Sequence, residues 1–134
     1  MAYNTILIRL YYLLICADGS LNQKEIDAAK QMIAAEALSE TEFQAEMKAL
    51  PGRAQTLVYS ECIRAMKLLS HEQQIRIIAW LCVLANADGF MDRAEWQFIY
   101  KVYQKELALP LNEIFQVQKD INFALFRAKF ATIL

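Results

Sequence analysis

Apolar residues recur at helical spacing along most of the chain, separated by polar residues. One-sided stripes of this kind predict amphipathic helices that bury a single face. The longest stripes are Ile26, Ala29, Ile33 and Ala37, then Trp96, Ile99, Val102, Tyr103 and Leu107, and finally Ile114, Val117, Ile121 and Leu125. A shorter stripe begins at Phe43 and is broken by Pro51, and another predicts a connector helix over about residues 53–69.

Two further segments, residues 4–17 and 71–86, are apolar nearly all round. A helix with this pattern is buried on every side, so both segments are expected at the centre of the fold. Neither is long enough to cross a bilayer, which takes about 20 apolar residues. Together the patterns predict seven helices and no strand.

The sequence also repeats itself. Residues 14–26 align with residues 84–96, and after a slip of one residue, residues 38–43 align with residues 109–114. In each aligned pair, both segments lie at the start of an apolar helical stripe or between two such stripes. An internal repeat of this type indicates one structural unit used twice, and here the unit is three helices.

Composition supports a single all-α bundle over residues 1–134, with repeat units at about 4–50 and 71–130. A chain of 134 residues is a usual size for one domain. It is 57% hydrophobic with only three Gly and two Pro, which fits neither a disordered chain nor a strand-and-turn fold. Its formal charge of −1 indicates no overall basic field of the sort that nucleic acid or an anionic membrane surface selects, so nucleic acid is not an expected partner.

Each repeat carries the motif Asp-Gly-x-φ-[Asn/Asp]-x-x-Glu, where φ is apolar. The two copies are Asp18–Glu25 and Asp88–Glu95. Helix capping explains most of the motif: the glycine suits a helix end, Asn22 and Asp92 suit N-caps, and the glutamate completes a capping box. Ser39 repeats the capping pattern where no metal is expected. Only Asp18 and Asp88 are left without a structural role.

The alternative is a divalent-metal site, because Ca²⁺ and Mg²⁺ prefer carboxylate oxygens. The candidate ligands are Asp18, Glu25, Asp88, Asp92 and Glu95. The second copy fits a calcium-binding EF-hand loop after the first position, but Leu84, and Leu14 in the other copy, stand where the first ligand is needed. Water, backbone carbonyls or the other repeat would have to complete the site. A degenerate EF-hand-like calcium sensor stays open as an alternative.

The paired segments Ala17-Asp18-Gly19 to Glu25 and Ala87-Asp88-Gly89 to Glu95, each following an apolar helix, resemble the TerB-like tellurite-resistance family. That family also includes the N-terminal domain of DjlA-type co-chaperones. The resemblance covers essentially the whole chain. It implies a compact helical fold, a divalent metal held at the matching acidic positions with Asp92 as an additional ligand, and a non-enzymatic cytoplasmic module in stress or tellurite resistance.

Other residues favour a binding module over an enzyme. His71, the only histidine, reads as a solvent-facing first-turn residue behind the cap Ser70. The cysteines form no CxxC pair and lie in apolar runs, which indicates a reducing, cytoplasmic location. A protein partner is expected for this module. The alternative to metal binding is a purely structural protein–protein interaction module, in which the acidic motifs serve only as helix caps.

The last residues, 122–134, are apolar apart from a few polar side chains that include Arg127 and Lys129. We expect this tail to dock on the domain. A homodimer contact, a partner contact and proximity to a membrane surface stay open for it.

Overall fold

Every regular element in the described part of the chain is helical, which confirms the all-α class and the count of seven α-helices. The computed structural model describes residues 1–87, 89 and 91–133. For residues 132 and 133 it describes the backbone only. The helices are α1 (Tyr3–Asp18), α2 (Gln23–Ala35), α3 (Glu40–Ala49), α4 (Gln55–Met66), α5 (His71–Ala85), α6 (Arg93–Tyr100) and α7 (Leu111–Ile133). A 3₁₀ turn, Leu50–Gly52, follows α3, and a π-helix, Lys101–Glu106, continues α6.

The helix α5 forms the centre of the bundle, as its apolar sequence predicts. All residues from Ile77 to Ala85 are buried, so every face of this stretch is covered. The helix packs against α1, α2, α6 and α7. The equally apolar α1 packs against α3, α4, α5 and α6, and it buries seven residues from Ile6 to Leu14. These two helices therefore contribute half of the buried apolar residues in the described part of the chain.

Side-chain caps start several helices at the predicted residues. Asn22 accepts a hydrogen bond from the backbone of Glu25, and Ser39 accepts one from the backbone of Glu42. Ser70 and Gln73 form a reciprocal capping box at the start of α5, next to the exposed His71. The Glu42 carboxylate does not complete its box in the predicted way, because it accepts a hydrogen bond from Thr5 of α1.

The apolar stripe predicted for the second helix includes Ala37, and this part of the prediction is wrong. Ala37 lies beyond α2, exposed and with a positive φ of 52°. Ala108 has the same conformation after the π-helix, with φ at 51°. A backbone hydrogen bond stabilises the chain reversal at each alanine. After Ala37, the N–H of Leu38 donates to Ile33 O, five residues back. After Ala108, the N–H of Leu109 donates to Tyr103 O, six residues back.

The π-helix therefore accounts for the one-residue slip in the sequence alignment. A π-helix bonds each amide to a carbonyl one residue further back than an α-helix does, so it accommodates one extra residue. The extra residue falls between Tyr103 and Ala108, inside or directly after Lys101–Glu106. The boundaries of the two repeat units stay a prediction.

The tail was expected to dock on the domain, and for its phenylalanine rings this prediction is wrong. The helix α7 buries Ile114 and Ile121 against α5, but Phe123, Phe126 and Phe130 are each more than half exposed. No helix in the described ranges is long and apolar enough to cross a membrane.

Candidate metal centre

Carboxylates from both copies of the acidic motif meet in one cluster. Asp18 of the first copy and Asp92 and Glu95 of the second each offer an oxygen, and these oxygens all lie within 4.8 Å of one another. The packing of α1 against α6 brings the end of one helix to the start of the other. The sequence predicts these residues as ligands and allows the other repeat to complete a site, and the cluster joins ligands from both copies in this way.

The end of α1 positions Asp18. Gly19 takes the left-handed conformation, with φ at 78°, and its N–H donates to Ile15 O at 2.9 Å. This is the predicted helix-terminating glycine. Asp18 is the last residue of α1, and its carboxylate accepts a 2.7 Å hydrogen bond from Ser20 Oγ.

The backbone conformation of the first copy does not match an EF-hand. Leu14 to Asp18, the first five positions of the template, are all helical within α1. The calcium loop of an EF-hand needs its first and third residues to supply ligands from a loop. The structure therefore gives no support to the EF-hand-like alternative in this copy.

Asp92 serves as the N-cap of α6. Its Oδ2 accepts hydrogen bonds from the backbone amides of Ala94, at 2.9 Å, and Glu95, at 3.4 Å. These bonds hold the Asp92 carboxylate at the first turn of α6, where the helix dipole also favours negative charge. Glu95 lies on that same turn, so a single helix start presents two of the three clustered carboxylates.

Glu95 is the unusual residue of the cluster. It is only 3% exposed, and its Oε2 atom is buried without a hydrogen-bond partner among the residues that the structure describes. Its carboxylate offers an oxygen to the cluster and also lies against the backbone of Asp92, the partner expected for it in the capping box. Burial, and then the charges of Glu25, Asp18 and Asp92, raise the pKa of Glu95 to about 7.

Glu25, the equivalent residue of the first copy, is also buried. Its charge acts on Glu95 and contributes, after burial, to raising the pKa of Tyr11 to about 12. Four of the five predicted ligands are therefore placed in one neighbourhood, three of them in direct reach of one ion. The fifth, Asp88, lies outside the described residues.

The donor set fits a hard divalent cation. A buried, unpartnered carboxylate oxygen surrounded by other carboxylates is destabilised unless a proton or a cation neutralises it. Two oxygens bound to one Ca²⁺ lie at most about 5 Å apart, and two bound to one Mg²⁺ at most about 4.2 Å apart. The 4.8 Å limit within the cluster is thus compatible with Ca²⁺ without movement of the helices.

A known protein family matches most of the chain. The family model described as tellurite resistance protein TerB matches residues 4–116, from the start of α1 into α7. No curated protein and no solved structure matches the chain significantly.

Proposed function

The chain belongs to the family of the tellurite resistance protein TerB, and on that premise we propose that it is a binding module that holds one divalent cation between its two acidic motifs. Asp18, Asp92 and Glu95 supply the first ligands. Glu25 and Asp88 are the further predicted ligands, and water completes the coordination.

The Oε2 atom of Glu95 carries this proposal. Helix capping accounts for Asn22 and Asp92, which accept backbone hydrogen bonds in the expected way. It does not account for a glutamate oxygen that is buried with no partner among the described residues. A bound cation would give this oxygen a partner and would remove the repulsion from the neighbouring carboxylates.

The three clustered residues contribute in different ways. Asp92 is fixed by two backbone amides, and Asp18 by the Ser20 hydroxyl, so both carboxylates are oriented before an ion arrives. Preorganisation of this kind lowers the entropic cost of binding. Glu95 contributes the buried charge, which must be deprotonated to coordinate, so affinity is expected to rise with pH through about 7.

An ion at this position would connect the α1–α2 loop to the start of α6. It would favour one relative placement of these elements and so fix the surface that they present to a protein partner. We propose a regulatory or sensing role of this kind, without catalysis, in the cytoplasm and in stress or tellurite-resistance processes. The family membership supports the process, and the arrangement of the carboxylates supports the binding.

The test is a calorimetric titration of EDTA-stripped protein with Ca²⁺ and with Mg²⁺, together with melting curves. The wild type is expected to bind Ca²⁺ saturably and to gain stability from it. Asp18→Asn and Glu95→Gln are expected to weaken binding by roughly tenfold or more, since each removes a charged ligand. Asp27→Asn, an exposed acid of α2 outside the cluster, is the matched control and is expected to bind normally.

Asp18→Asn is the decisive variant because Asp18 caps no helix. If it binds Ca²⁺ as tightly as the wild type does, the proposed coordination is wrong. If no divalent ion binds below about millimolar concentration, the motifs are helix caps, and the purely structural interaction module is the better function.

A further inference from the structure

The helix α7 continues beyond the part of the chain that matches the family, and this continuation is largely exposed. The family match ends at residue 116, and Ile121 is the last buried residue of the helix up to residue 131, where the described side chains end. Phe123, Phe126 and Phe130 are 62%, 64% and 53% exposed. Their spacing of three and four residues places them on one face. We name these three residues the phenylalanine stripe.

Basic side chains flank the phenylalanine stripe. Arg127 and Lys129 are the only charged residues in the sequence from 121 to 134. With about 100° of rotation per helical residue, they fall on opposite sides of the stripe. The guanidinium of Arg127 lies 5.8 Å from the centre of the Phe123 ring, and the rings of Phe126 and Phe130 stack at 6.3 Å.

A groove of about 550 Å³ beside the stripe adds a third cation. Phe126 and Lys129 line it from α7, and Lys24 lines it from α2. Asp27 is the one acid among the described residues that line this groove, and it accepts a hydrogen bond from the Gln23 amide. The surface around the stripe is therefore apolar at its centre and predominantly basic around it.

The size of the stripe argues against a second copy of the chain as its occupant. A phenylalanine has about 200 Å² of surface, so the exposed fractions correspond to about 360 Å² in all. A stable dimer buries about 800 Å² on each partner. A contact between two copies through residues 121–134 would also contain Arg127 and Lys129 of each copy, and this segment contributes no acidic side chain to offset them.

A lipid surface fits both the size and the charge. We propose that the stretch of α7 from residue 122 to 131 lies on an anionic bilayer, with the phenylalanine stripe inserted at the boundary between headgroups and acyl chains. Interfacial helices combine aromatic residues on one face with Lys and Arg beside them, and the cations bind acidic headgroups. Since no described helix could cross the bilayer, the contact is peripheral. This inference does not depend on the proposed metal site.

The test is co-sedimentation of the full chain with vesicles of phosphatidylcholine alone and of phosphatidylcholine mixed with phosphatidylglycerol. EDTA is present throughout, so that divalent ions cannot bridge protein and lipid. The wild type is expected to bind the mixed vesicles, and binding should weaken as salt rises. Replacing the stripe, with Phe123→Ser, Phe126→Ser and Phe130→Ser together, should weaken binding by roughly tenfold or more.

Two further variants separate the contributions. The double variant Arg127→Gln with Lys129→Gln should weaken binding to mixed vesicles by roughly tenfold to thirtyfold. Its binding to neutral vesicles should equal that of the wild type. Leu57→Ser with Leu68→Ser, which removes two exposed leucines elsewhere, is the matched control and should bind as the wild type does. Melting curves of all variants establish that they fold.

The inference is overturned if the wild type does not sediment with mixed vesicles, or if the stripe variant binds them as well as the wild type. A third outcome also overturns it: a wild-type dimer that becomes a monomer in the stripe variant, without vesicle binding, would assign the surface to a second copy. Equal binding to neutral and mixed vesicles would contradict the anionic part of the proposal.

Discussion

Asp18 and Glu95 belong to different copies of the acidic motif, yet they bring carboxylate oxygens within 4.8 Å of each other at the contact of α1 with α6. Glu95 is buried in this arrangement, and within the described part of the chain its Oε2 has no hydrogen-bond partner. Burial is the main cause that raises the pKa of Glu95 from 4.5 to about 7, and the charges of Glu25, Asp18 and Asp92 add to it. The stability of the metal-free protein must therefore depend on the ionisation of this one group.

The expected pH dependence follows from the direction of that shift. Between about pH 4.5 and 7 the folded protein keeps a proton on Glu95 that the unfolded chain has lost. Stability therefore falls as pH rises through this window, and the loss is complete above about pH 7. At 1.36 kcal/mol per pKa unit, the contribution is on the order of 3 kcal/mol. Urea unfolding in EDTA at several pH values measures it.

The variant Glu95→Gln isolates this contribution because it removes the ionisable group and keeps the size of the side chain. Its free energy of unfolding should exceed that of the wild type increasingly as pH rises toward about 7. Glu40→Gln, an exposed acid in the first turn of α3, is the control and should follow the wild-type curve. Parallel profiles for the wild type and Glu95→Gln would contradict the assembled cluster.

Periodicity and capping signals were sufficient to predict the helices, because both are local. Apolar stripes found the seven helices, and Asn22, Ser39, Ser70 and Asp92 cap the helices that follow them. The acidic motif also identified the residues of the cluster. Its geometry could not be predicted, because the meeting of Asp18 with α6 depends on how α1 packs across the bundle. Sequence spacing carries no information on that packing.

The hydrogen-bond network around Glu36 was missed for the same reason. Its carboxylate, only 10% exposed, accepts hydrogen bonds from the Tyr3 hydroxyl at 2.8 Å, the Trp80 indole at 2.7 Å and the Arg76 guanidinium at 2.7 Å. These donors lie 33 to 44 residues away in the sequence. No local pattern in the sequence could indicate that this glutamate joins α2 to α1 and α5.

Glu36→Gln is expected to lower the free energy of unfolding by roughly 2–3 kcal/mol, because it leaves buried donors facing a neutral amide. Arg76→Gln should cost less, about 1 kcal/mol or below, since the Arg76 side chain is 43% exposed and its ion pair is screened by solvent. Urea unfolding at neutral pH gives both values. Glu72→Gln, an exposed neighbour, is the control. Equal losses for Glu36→Gln and Glu72→Gln would show that the network contributes little.

Thiol reactivity provides a test of the core. Burial raises the pKa of Cys62 to about 11 and that of Cys82 to about 12. Both side chains are buried, whereas Cys16 near the end of α1 is half-buried. The thiolate is the reacting form, so an aromatic disulfide reagent should label Cys16 alone in the native protein and all three thiols in urea. Cys16→Ser should abolish the native signal. Rapid labelling of a second thiol without denaturant would mean that the core opens readily.

The equivalent positions Ala37 and Ala108 give the last prediction. Both have a positive φ, near 50°, in which a side chain costs about 1 kcal/mol relative to glycine. Ala37→Gly and Ala108→Gly are each expected to raise the free energy of unfolding by about 0.5–1 kcal/mol, measured by urea unfolding. Ala49→Gly, at an exposed helical position with φ at −81°, should instead lower it by about 1 kcal/mol. A loss of stability at Ala108 but not at Ala37 would show that the π-helix changes the chain reversal that follows it, and that the two units do not end alike.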